Sequence, residues 1–238
     1  MISKSRVFAA LSFFLTCVLS PYASFAQTEA DFVAAFSGDW LVFDPAYGDQ
    51  ARCVVMLTSE KLDGDYSAET KQCRAPLATI ARWKIVDNQL LFVASDGDLV
   101  ARLGGNQNRI SGETFEDAGI VMERPDKIKS DTQIDCAYRG YSTDCGTVED
   151  KRKPIDTLTL SQQVDVRILV KLNVRREPRP DAEILSQLMP QVCVPVSQCL
   201  TASDGNWCKT NIEGDQGWIV QEAIRQEKWR TLTYVSGC

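Results

Sequence analysis

Ser37-Gly38-Asp39-Trp40-Leu41-Val42-Phe43, stopped by Asp44-Pro45, is the stretch whose reading decides the fold. It is a short apolar run bounded by turn residues, too brief for a helix and suited to a strand. The same unit then recurs. Cys53 to Leu57 is followed by a polar turn, and Gly64-Asp65-Tyr66-Ser67 opens a third run. Ile80 to Ile85 holds Trp83, and Asp87-Asn88 turns into Gln89-Leu90-Leu91-Phe92-Val93. Asp96-Gly97-Asp98 leads to Leu99–Leu103, Gly104-Gly105-Asn106 to Arg109–Gly112, and Gly119–Glu123 closes the set at Pro125. Some eight strands at intervals of roughly 8 to 14 residues predict a small antiparallel sandwich or barrel. Closing eight strands into a barrel removes the edges that invite aggregation. Pro45, Pro76 and Pro125 fall between the runs, where no ladder N–H is needed. Trp40 is expected to plug one end of the barrel, with Gly38 allowing a close approach beneath its ring.

Upstream, Lys4 and Arg6 precede an uncharged apolar run from Val7 to Leu19, and Ser24-Phe25-Ala26 sets small residues before Gln27. That layout reads as a secretory signal peptide over residues 1–26. Its apolar core of about 13 residues falls short of the roughly 20 that span a bilayer. Cys17 follows Thr16 rather than a small residue, which argues against a lipoprotein signal. Loss of 26 residues from 238 leaves 212, enough for one or two domains. The leader carries Lys4 and Arg6 and no acid, so its removal takes the formal charge from −6 to −8. A chain that acidic is a poor partner for nucleic acid or anionic lipid.

Setting Cys17 aside, eight of the nine cysteines remain, an even number that reads as four disulfides in an exported protein. Zinc would require Cys knuckles or Cys with His. No such knuckle occurs, and the chain has no histidine. The same absence rules out Ser-His-Asp and Cys-His nucleophiles and His-ligated catalytic metals. No pair of acids stands out as a glycosidase couple. The expectation is a non-enzyme that uses no cofactor and no metal. Cys136 and Cys145 would close a short loop around Tyr138 to Tyr141. Cys199 and Cys208 flank Ser203-Asp204-Gly205-Asn206 and can face each other across a hairpin.

The order Ser37-Gly38-Asp39-Trp40, Cys53–Leu57, Gly64-Asp65-Tyr66, Cys73, Trp83, Asp96–Leu99 and Val121-Met122-Glu123-Arg124 resembles the bacterial metalloprotease-inhibitor family. That family includes the alkaline proteinase inhibitors and related outer-membrane proteins, and the likeness covers residues 36–124. It implies an eight-stranded barrel with one disulfide, here Cys53–Cys73, which leaves Cys193–Cys238 by elimination. It also implies an extended N-terminal segment that enters the zinc-bearing cleft of a secreted protease. In this chain that segment runs from Gln27 to Ala35, with Gln27, Thr28, Glu29, Ala30, Asp31 and Phe32 as the candidate inhibitory residues. Gln27 can cyclise and lose its basic amine, and Glu29 and Asp31 make the segment acidic.

Residues 126–165 are polar and charge-mixed, and Lys151-Arg152-Lys153-Pro154 reads as an exposed linker. Beyond it, Val170 to Arg175 alternates apolar and polar residues like a half-buried strand. Pro178 and Pro180, the Gly205-Asn206-Trp207 turn and the Gly217-Trp218-Ile219 close follow in order. These residues resemble the bacterial SH3 family over 166–225. The likeness implies a module for binding peptidoglycan, peptides or an envelope protein, with Trp207 as a possible binding aromatic.

The expected protein is therefore all-β: an eight-stranded antiparallel barrel plus a small SH3-like barrel. Its parts are a signal peptide (1–26), an inhibitor-type barrel (27–125), a disulfide-pinned linker (126–165) and an SH3-like domain with a C-terminal tail (166–238). The expected function is inhibition of a secreted or envelope protease of the zinc class, in the periplasm or the medium. Its rival is a non-inhibitory cell-envelope binding module. A third option is a carrier holding a small ligand inside the barrel. With no disulfide expected to cross Lys151–Lys153, the two halves should survive a cut there.

Overall fold

Two-residue turns lay out the first module. Asp63 and Gly64 join the second strand to the third, with φ of 54° and 92°. Asp87 and Asn88 join the fourth to the fifth, with φ of 51° and 60°. Positive φ at both central positions gives the turn whose twist matches paired strands, and Asp, Asn and Gly tolerate it best. The resulting strands are β1 (Gly38–Val42), β2 (Val54–Leu62), β3 (Asp65–Lys71), β4 (Ile80–Val86), β5 (Gln89–Ala94), β6 (Leu99–Gly105), β7 (Arg109–Thr114) and β8 (Gly119–Glu123). Each pairs with the next, and β1 pairs back onto β8, so the barrel closes as expected. The computed structural model describes residues 28–49, 51–127, 136–139, 142–145, 163–212, 214–225 and 229–238. The leader 1–26, Gln27 and the basic run Lys151–Lys153 lie outside the described residues.

The barrel interior is filled by side chains. Trp40, Trp83 and Phe92 are fully buried within one cluster that also takes in Val42, Val55, Leu57, Leu77, Leu103, Ile110 and Met122. Such filling is the usual state of a barrel of this size and does not favour the carrier reading.

The second half builds β11 (Val164–Ile168), β12 (Leu172–Arg175), β13 (Ile184–Leu188), β14 (Cys193–Ala202), β15 (Gly205–Ile212), β16 (Asp215–Val220) and β19 (Tyr234–Ser236). They form one sheet in the order β13-β12-β16-β15-β14-β11-β19. Val166, Ile168, Leu172, Val174, Val194, Val196, Ile219 and Tyr234 make its core. The sheet begins at Val164, slightly before the expected boundary at 166. A four-stranded sheet, β10-β9-β18-β17, joins β9 (Cys136–Arg139) and β10 (Ser142–Cys145) to β17 (Glu222–Arg225) and β18 (Trp229–Leu232). Part of the expected linker thus pairs with the C-terminal region rather than standing alone.

Three expected disulfides are present: Cys53–Cys73, Cys193–Cys238 and Cys199–Cys208. Cys199 and Cys208 occupy directly opposed positions of the β14–β15 hairpin, the arrangement that the flanked turn suggested. Cys136 and Cys145 face each other in backbone register, and their side chains lie outside the described residues. Cys193–Cys238 closes a loop with a sequence separation of 45 and fastens the chain end beside β19 and β11. Replacing both of these cysteines by serine should cost about 2–4 kcal/mol. The check is the midpoint of urea unfolding, which should fall while the first barrel keeps its near-ultraviolet signal.

Candidate functional site

The N-terminal segment is where sequence expectation and structure part. Residues Glu29–Phe36 form a helix, α1, not an extended arm. Thr28 caps it. The Asp31 N–H donates to the Thr28 hydroxyl oxygen at 3.3 Å, and the Thr28 N–H donates to the Asp31 carboxylate at 2.9 Å. This reciprocal pair is a capping box, and Thr28-x-x-Asp31 was its trace in the sequence. The Thr28 N–H, and then its hydroxyl, hold the Asp31 carboxyl below the ordinary aspartate range. A depressed carboxyl pKa stabilises the fold at pH above the ordinary value, and that contribution is lost as pH falls through the lowered one.

The two halves of α1 differ. Val33 and Phe36 are buried in the barrel core, and Phe32 packs partly against it. Thr28, Glu29, Ala30 and Asp31 are exposed. Two residues of the barrel end, Trp40 and Arg124, hold the buried half. The Trp40 indole N–H donates to the Phe36 carbonyl at 2.9 Å, and the two rings stack with centroids 6.2 Å apart. The Arg124 guanidinium lies 4.2 Å over the Trp40 ring and donates to the Ala35 carbonyl at 2.8 Å, a cation on the last turn of a helix. Tyr66 reaches the first turn instead, its hydroxyl donating to the Glu29 carboxylate at 2.6 Å. That bond, more than partial burial, pushes the Tyr66 pKa up. Gly38 has φ of 111°, and a Cβ there would stand 2.7 Å from the Arg124 guanidinium. The positive φ is what favours glycine here, and the missing Cβ also leaves room for the Arg124 guanidinium. Among the described residues, no group of three or more Cys, Asp or Glu is arranged to hold a metal.

Trp207 is not an exposed binding aromatic. It is 2% exposed and packs with Val121, Leu200 and Ala202 in a cluster between the barrel and the second sheet. Its indole N–H donates to Asp204 at 3.0 Å. Beside it lies an ionic core that the sequence did not reveal. Arg109 on β7 is paired with Glu123 on β8, reaches Asp204 at 2.8 Å and donates to the Pro178 carbonyl at 2.9 Å. The Ser203 N–H donates to Glu123 at 2.7 Å. At Gly119 a Cβ would fall 2.2 Å from the Leu200 side chain, so glycine is what lets β14 approach β8. The two modules share a buried seam. Sequence reading had no access to this, because Arg109, Val121 and Glu123 alternate outward from the barrel and look like solvent-facing positions.

With this geometry in view, the comparisons with known proteins divide the chain at the same place. Residues 32–124 match the family model described as Protease inhibitor Inh. Residues 170–226 match the one described as Bacterial SH3 domain. The Inh match takes in the whole closed barrel and starts at Phe32, so Gln27 to Asp31 precede it. The SH3 match covers β12 to β16, where Trp207 and Trp218 sit. No curated protein matches the chain. Among solved structures, the antimicrobial peptidase lysostaphin from Staphylococcus simulans aligns at 12% identity, covering 67% of this chain and 79% of that one. Its TM-score of 0.28 is too low to bear on fold or activity. An Inh-like barrel, a bacterial SH3 module and three disulfides together indicate an extracytoplasmic protein. Among the described residues, no helix is long and apolar enough to cross a membrane.

Proposed function

We propose that this chain is an exported inhibitor of a secreted or envelope zinc protease, active in the periplasm or the medium. In this reading the Inh-like barrel presents the Gln27–Phe32 segment, and the SH3-like module sets location or partner choice. The observation that carries it is the Inh match over a closed barrel whose end is capped by a half-buried, half-exposed helix. The buried half, Val33 to Phe36, is a brace. The exposed half offers Glu29 and Asp31, whose carboxylate oxygens are competent zinc ligands. A brace of this kind lowers the ordering cost of binding. Entry into a narrow cleft requires the first turn to open. A helix of eight residues is marginal without its packing, and its N-cap is worth about 0.5–2 kcal/mol.

The test is a mature chain beginning at Asp31, which removes Gln27 to Ala30 and keeps Val33, Phe36 and every contact of Trp40 and Arg124. Inhibition of a secreted zinc protease should weaken at least about 100-fold, with the melting temperature shifted by a few degrees only. Undiminished inhibition would remove the segment from the mechanism. A lack of inhibition by the intact mature chain, across zinc and serine proteases, would favour the envelope-binding reading, for which the SH3 match is the supporting observation.

A further inference from the structure

The exposed half of α1 is held in two different ways. Thr28 and Asp31 serve each other: the Thr28 N–H and hydroxyl donate to the same oxygen of the Asp31 carboxylate, at 2.9 and 2.8 Å, all within one turn. Glu29 instead reaches out of the helix. Its carboxylate accepts the Tyr66 hydroxyl, from a residue 37 positions away in sequence. Tyr66 is a fixed point. It lies on β3, opposite Lys61 of β2 and Trp83 of β4, and is 8% exposed. Its ring packs on that of Trp83 with centroids 5.2 Å apart, and the Lys61 ammonium sits 5.2 Å over it. A phenol so placed, with an apolar body inside and a polar tip at the surface, cannot follow Glu29 when the helix end moves.

Opening the first turn is otherwise cheap. The Asp31 and Phe32 N–H groups donate to the Thr28 carbonyl, at 3.0 and 3.2 Å, and these bonds are what opening removes. Thr28 to Asp31 are exposed, so no core is uncovered. The Ser37 N–H, which donates to the Val33 carbonyl at 2.9 Å, belongs to the braced half and reports on it separately. We propose that the Tyr66–Glu29 hydrogen bond is a catch that keeps the first turn closed, and that its release sets how fast the Gln27–Phe32 segment enters a protease cleft. The second clause rests on the inhibitor reading, and the first does not. While the catch is closed, the Glu29 carboxylate is engaged by the phenol and the segment follows the helix. A ligand that takes only the open state binds in proportion to the open fraction. Weakening the catch should therefore strengthen inhibition, whereas loss of a merely structural contact would weaken it.

The test is Tyr66→Phe in the full mature chain, which keeps the ring against Trp83 and removes only the hydroxyl. Hydrogen exchange of the Phe32 amide should quicken about three- to tenfold, with the Ser37 amide unchanged and the melting temperature within a few degrees of the wild type. Association with a secreted zinc protease should quicken by the same factor at an unchanged dissociation rate. Unaltered exchange at Phe32 would overturn the catch. Faster exchange with unaltered or slower association would show that the turn opens without gating entry, which overturns the second clause. A wild-type chain that inhibits no protease sinks the inhibitor reading and the gating with it, and the exchange measurement still decides the catch.

Discussion

Arg109→Ala is expected to lower the unfolding free energy by about 3–5 kcal/mol and to let the two modules separate. Arg109 and Glu123 are 8% and 5% exposed, and the guanidinium also engages Asp204 and the Pro178 carbonyl. Burial works against the charged guanidinium, yet Asp204 and Glu123 outweigh it and raise its pKa. The site therefore stays cationic at any working pH. Removing the arginine leaves the Glu123 carboxylate buried without its cation, which is where the large cost arises. The loss should appear in urea unfolding, and proteolysis gives a second readout. After cleavage at Lys151–Lys153, the wild-type halves should remain associated on a sizing column and the variant halves should elute apart. The double replacement Arg109→Met, Glu123→Leu should recover part of the loss, since it removes the buried Glu123 carboxylate along with its cation and leaves unpaired only Asp204, whose side chain is 29% exposed. Wild-type halves that separate freely after cleavage would show that the seam does not hold the modules.

Trp40→Ala should cost a similar amount, about 3–5 kcal/mol, as expected for a large aromatic deleted from a packed core. Trp40 is fully buried, and its ring is the shared surface for Phe36 on one side and Arg124 on another. The substitution therefore withdraws the indole bond to the Phe36 carbonyl and the support for Arg124 at once. Helix α1 should loosen before the barrel unfolds, seen as early hydrogen exchange of the Val33 to Ser37 amides. Where the chain inhibits a protease, potency should fall with the loss of the brace. If α1 amides stay as protected as in the wild type while global stability drops, Trp40 holds the barrel but not the helix.

Local chemistry made the barrel legible from sequence. Asp63-Gly64 and Asp87-Asn88 announce their turns because positive φ is cheap only for such residues, and the runs between them have strand length and composition. Cysteine positions carried as much information, since Cys199 and Cys208 flank a hairpin turn and stand opposite in register. The likeness to the inhibitor family rested on motifs such as Ser37–Trp40 and Cys53–Leu57, that to the SH3 family on Gly205-Asn206-Trp207 and Gly217-Trp218-Ile219, and the two family models match over 32–124 and 170–226. The helix at Glu29–Phe36 was present in the sequence only as its Thr28-x-x-Asp31 cap, because eight residues are too few for a clear apolar period. Its stability comes from the barrel end beneath Val33 and Phe36.

What the tertiary structure alone decided is which outward faces are covered. On an isolated barrel, Arg109, Val121 and Glu123 would be ordinary surface residues, and on an isolated SH3-like module Trp207 could stack on a ligand. Alternation along a strand separates the two faces but does not tell whether the outer one meets water or another module. Here β14 lies against β8, so Trp207 becomes seam, and Arg109 and Glu123 become a buried ion pair with the half-buried Asp204 at its edge.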